Sequence, residues 1–64
     1  MKVREVIKRL EADGYVLART RGGHRQFRAP DGSHLVTVPG KPNDTLRPGT
    51  LASIRRATGL EELR

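Results

Sequence analysis

The sequence has no cysteine and no tryptophan, and its aromatic rings are limited to Tyr15 and Phe27. Without thiols it forms neither a disulfide nor a thiolate metal site. That absence fits a reducing cytosol better than an oxidising compartment. With so few rings it lacks the stacking platform on which single-strand readers hold successive bases. No stretch approaches the roughly 20 apolar residues of a membrane span, and the N-terminus has no apolar signal core. The expectation is a cytoplasmic protein with no membrane contact, no metal site and no small-molecule cofactor.

Acidic residues are also scarce: seven Asp and Glu stand against 13 Lys and Arg, a formal charge of +6 over 64 residues. Such an excess favours a polyanionic partner, either nucleic acid or an acidic protein surface. Ten of the 13 bases are arginine, whose planar fork suits bidentate phosphate contacts. A chain of this length is expected to form one domain, 1–64, and to bury only about 60% of its unfolded surface. Domains this small usually lean on a disulfide, a metal or a partner, and a partner is the staple this composition leaves open.

The apolar residues Val3, Val6, Ile7 and Leu10 recur at helical spacing, with charged residues between them, and predict an amphipathic helix stopped by Gly14. Three short strands follow, at Tyr15–Thr20, His24–Ala29 and His34–Val38. Arg21-Gly22-Gly23 makes the first tight connection, Ala29-Pro30-Asp31-Gly32 makes a turn, and Pro39 closes the third strand. Connections this short require antiparallel pairing. After a loop over Gly40–Asn43, a second helix is expected to begin near Pro48, to face inward through Leu51, Ile54 and Thr58, and to stop at Gly59. Leu60 and Leu63 give the tail an apolar side that can dock as a short turn. The predicted class is α+β, in the order α-β-β-β-α, with two helices on one face of a three-stranded antiparallel sheet. Register then sets the faces. Leu17, Phe27, Val36, Tyr15 and Val38 should face the helices, and His24, Gln26, Arg28, Thr37 and Thr20 the opposite side.

The segment Gly22-Gly23-His24-Arg25-Gln26-Phe27 resembles the HicA family of bacterial toxins, which shows a glycine-rich turn, then a histidine, then an aromatic residue. Val36-Thr37-Val38-Pro39, Leu46, Pro48-Gly49-Thr50-Leu51, Ile54 and Ala57-Thr58-Gly59-Leu60 agree in order and spacing, as do the opening helix and Gly14-Tyr15. The resemblance covers nearly the whole chain. It implies a fold like the double-stranded RNA-binding domain, a metal-independent ribonuclease activity on mRNA, and an antitoxin of the HicB type that covers the site. It carries the family's catalytic histidine over to His24. Many members have a second histidine where this chain has Lys41, so any role of that second histidine is not carried over.

Metal-free RNA cleavage needs a group that takes the 2′-hydroxyl proton and donors that hold the phosphate. Histidine suits the first task, since its ordinary pKa of about 6.5 lets it exchange protons near neutral pH. Gly22 and Gly23 offer close backbone approach, and Arg21 and Arg25 flank the same spot. The RNA-binding set read from the sequence is therefore Arg21, Gly22, Gly23, Arg25, Arg28 and Lys41. His34 is expected at the other end of the sheet, about 17 Å away along the strand, as a solvent-facing residue. Two further readings stay open: a module that binds RNA or DNA without cutting it, and a small basic adaptor that docks an acidic protein.

Overall fold

A computed structural model describes residues 1–63. The first helix, α1, spans Val3–Ala12 and buries Val3, Val6 and Leu10. The Lys2 N–H donates to Glu5 Oε1 at 2.7 Å, which satisfies one donor just ahead of the helix. At the other end the N–H of Tyr15 donates to Leu10 O and that of Gly14 to Glu11 O, the paired bonds of a Schellman cap. The cap requires the left-handed backbone that Gly14 adopts (φ +92°), and a Cβ there would meet Pro30 Cγ at 3.0 Å.

The strands are β1 (Val16–Arg21), β2 (His24–Arg28) and β3 (Leu35–Pro39), antiparallel in the order β1-β2-β3. The second helix, α2, spans Pro48–Thr58. Proline takes the first position, and Gly59 ends the helix at φ +74° with its N–H donating to Arg55 O. These are the elements and the order that the sequence predicts, with strand ends displaced by one residue.

Phe27, Val36 and Val38 on the sheet join Val3, Val6, Leu10, Leu51 and Ile54 in a single buried cluster, so both helices cover the same face. Tyr15 and Ala29 close one end of this cluster, and Leu46 and Leu63 belong to it as well. Leu63 is fully buried, and the tail is held there by Arg55 Nη1 donating to Leu63 O at 2.9 Å. The loop from Gly40 to Leu46 is laced to the N-terminal segment through Val3 N–H to Asp44 O, Arg4 N–H to Pro42 O, and Leu46 N–H to Met1 O.

One expected face assignment and one expected core position are overturned. The β1–β2 register slips between Leu17 and Arg19, where Ala18 forms a bulge. Beyond it Thr20 stands opposite Arg25, whose next partner, Val38, is buried against the helices. Thr20 is therefore on the helix side and not beside His24. Leu17 does pair with Phe27, yet it stays 47% exposed, because the helices pack over β2 and β3 and leave the β1 edge uncovered. No helix among the described residues is long and apolar enough to cross a membrane.

Candidate nucleic-acid interface

The uncovered face of the sheet is built from alternate residues of the strands. Cross-strand pairing sets Arg19 against Gln26 and Arg21 against His24, then Gln26 against Thr37 and His24 against Pro39. Arg28, at the far end of β2, is paired with Val16 and Leu35. No strand contains an Asp or Glu. The guanidinium groups of Arg19, Arg21 and Arg28 make no ion pair or side-chain hydrogen bond among the described residues. The face is thus cationic and carboxylate-free.

His24 is the first residue of β2 and is exposed. A two-residue hairpin connection, Gly22-Gly23, separates it from its partner Arg21. Only Gly22 of the pair has positive φ (+59°), the sign pattern of a type II′ turn, which suits the twist of the flanking strands. A Cβ built on either glycine would meet nothing within 4 Å, so the turn is open to an approaching ligand. The Gly40 N–H donates to Gly23 O at 2.9 Å and anchors the hairpin to the end of β3.

The six expected RNA contacts separate into groups. Arg21, Gly22 and Gly23 surround His24. Arg25 does not: it lies on the helix side, half-buried, with Nη1 donating to Gly40 O at 3.3 Å. Arg28 shares the face of His24 but stands four residues along the strand, about 14 Å away. Lys41 is exposed just past Pro39, the residue paired with His24, and its N–H donates to Asp44 Oδ2 at 2.9 Å.

Arg19 is the residue that sequence reasoning missed. The Ala18 bulge brings it to the open face, one pair along from Arg21, and Ala-Arg-Thr carries no glycine or proline to announce a bulge.

His34 lies at the opposite end of the sheet, its carbonyl accepting the Ala29 N–H. Its ring is not simply solvated: Nε2 is 3.1 Å from the Tyr15 hydroxyl, and Nδ1 is 2.9 Å from Ser33 Oγ.

What the fold and this face define is a small α+β domain that presents a cationic, carboxylate-free sheet surface with one exposed histidine. A family model for the HicA toxin of bacterial toxin–antitoxin systems matches residues 3–60, and the chain belongs to that family. It is a toxin component, and its counterpart in such a system is an antitoxin. Among curated proteins, none matches the chain.

Proposed function

We propose that this toxin is a metal-independent endoribonuclease that cleaves mRNA, with His24 as its general acid/base. The observation that carries the reading is the exposed imidazole at the mouth of an unobstructed Gly-Gly turn, paired across the hairpin with an arginine that has no partner among the described residues. A neutral imidazole takes the 2′-hydroxyl proton, and the 2′ oxygen attacks the adjacent phosphorus. The bond to the 5′ oxygen then breaks, that oxygen takes up a proton and leaves as a 5′-hydroxyl end, and a 2′,3′-cyclic phosphate remains. Arg21 and Arg19 oppose the negative charge that builds on the phosphoryl oxygens, and the Gly22 and Gly23 backbone admits the phosphate. Lys41 supplies a further cation from the loop, and Arg28 grips the strand at a distance. An antitoxin of the HicB type silences the protein by laying an acidic or extended segment over His24, which opposes no carboxylate of this chain's own strands.

The test is induction of wild type and His24→Ala in bacteria, reading growth and RNA integrity, with circular dichroism to confirm that both fold. Arrest and fragments with cyclic phosphate ends are expected from wild type alone, and purified wild type should cut equally with a chelator present. Equal arrest by both proteins, or RNA left intact by both, overturns the proposal in favour of a binding module.

A further inference from the structure

The two edges of the sheet are treated differently. An edge strand presents unpaired N–H and C=O groups that invite another chain unless bulges, charges or proline blunt them. The β1 edge is blunted: it carries the Ala18 bulge and the charged side chains of Arg19 and Arg21. The β3 edge has none of these devices between Leu35 and Thr37.

Which β3 groups face outward follows from bonds at both ends of the β2–β3 ladder. The Ala29 N–H donates to His34 O, and the Gly40 N–H to Gly23 O. Hydrogen-bonded pairs alternate in an antiparallel ladder, so Val36 and Val38 also bond inward to Phe27 and Arg25. The N–H and C=O of Leu35 and Thr37 consequently point away from β2, toward an edge where no strand of the described residues stands. Pro39 has no N–H and ends this free ladder.

Beside the edge lies an open groove lined by Leu35, Val36 and Thr37 on β3 and by Ser53, Ile54 and Ala57 on α2. Ser53 and Ala57, one helical turn apart, keep its α2 wall low. Leu35 lines the groove's edge with its backbone, while its side chain, 49% exposed, stands on the opposite, open face beside Arg28. The rim is basic. Arg56 reaches Ser53 Oγ at 3.5 Å and has no carboxylate partner among the described residues, and Arg28 stands beside Leu35 on the other face of the sheet, where it meets the alternate side chains of an added strand. Asp31 at this end is turned into its own loop, accepting the Ser33 N–H at 2.9 Å.

We infer that the β3–α2 groove takes one extended, acidic segment of a partner protein, which adds a fourth strand along Leu35–Thr37. Backbone donors and acceptors at the edge select an extended chain. The groove selects an apolar side chain at every second position, and the arginines select Asp or Glu beside it. A second copy of this chain fits worse, because pairing would bring two bodies of charge +6 together. This docking site opens at the β3 edge rather than at the hairpin, and it stands or falls separately from RNA cleavage.

The probe is a displayed library of random decapeptides selected on the intact, catalytically silent His24→Ala protein. Enrichment of peptides that alternate apolar residues and include Asp or Glu is expected, with slowed exchange of the Leu35 and Thr37 amides on binding. Two variants test the site by different routes. Thr37→Pro removes an outward donor without touching the ladder to β2, and Ala57→Glu places a like charge in the groove. Each should weaken the selected peptides about tenfold, a change of one decade in Kd. The inference is overturned if no such pattern is enriched, if bound peptides protect the Arg19–Arg21 end instead, or if both folded variants bind as well as the parent. It is overturned as to occupant if sedimentation shows a dimer that protects the same amides.

Discussion

Tyr15 closes the end of the sheet farthest from His24. It is buried, its hydroxyl bonds to His34, and the two rings meet edge to face with centroids 5.9 Å apart. Burial raises its phenol above the ordinary value of 10.0, and Asp31 and Asp13 push it the same way. Folding therefore favours the neutral ring. The resulting stability is complete below the ordinary phenol value and is lost as pH climbs through the raised one. Tyr15→Phe keeps the ring, gives up the bond to His34, and has no proton to lose. The variant should be less stable at pH 7 by about 1 kcal/mol, or roughly 4–8 °C in Tm. Above pH 10 its unfolding curve should change less with pH than that of wild type. Thermal unfolding from pH 7 to 11 checks both, and parallel losses in the two proteins would contradict the assignment.

At the scale of elements, the tail shows which contacts hold. Arg9 pairs with Glu62 and also with Asp13 at 3.6 Å, yet all three side chains are partly exposed. Leu63, next along, is entirely buried. Glu62→Gln should cost no more than about 0.5 kcal/mol, as exposed ion pairs do. Leu63→Ala should cost about 2–5 kcal/mol by emptying a core site. Denaturant titration of the two variants separates them, and equal losses would show that the ion pair anchors the tail. The elements themselves were legible in the sequence. Val3, Val6 and Leu10 keep helical spacing, Gly14 and Gly59 stop helices where glycine must, and Phe27, Val36 and Val38 alternate with polar residues. What stayed hidden depended on the third dimension. The bulge at Ala18 has no residue signature, so the faces of Arg19 and Thr20 were hidden beyond it. The exposure of Leu17 depends on how far the helices reach over the sheet. Pairing of His34 with Tyr15 depends on two strand ends meeting, which spacing alone does not give.

Across the whole molecule, charge is sorted rather than spread. The seven carboxylates lie on α1, in turns and loops, and on the tail, while the strands carry arginine without any acid. RNA held by that face should dissociate steeply as salt rises, since each neutralised phosphate contributes a slope of about 0.7 on logarithmic axes for a single strand. In the His24→Ala background, Arg19→Gln should lower that slope by about 0.7, one contact's worth. Arg25→Gln should leave it unchanged, because that guanidinium is turned to the helix side and held by Gly40 O. Salt titration of RNA affinity decides the point, and the reverse pattern would return Arg25 to the interface.

Gly40 belongs to neither helix nor hairpin, yet it ties the two together. Its N–H holds the turn ahead of His24, its carbonyl holds Arg25, and a Cβ on it would press Asp44 Oδ2 at 3.2 Å and Val3 Cγ2 at 3.4 Å. The loop that follows is bonded in turn to α1. The imidazole is therefore braced from behind, by a strut running from the first helix under the end of the sheet. Adding a single residue to that strut would slacken the brace and let the hairpin tip swing, altering the aim of His24 while every strand and helix stayed in place.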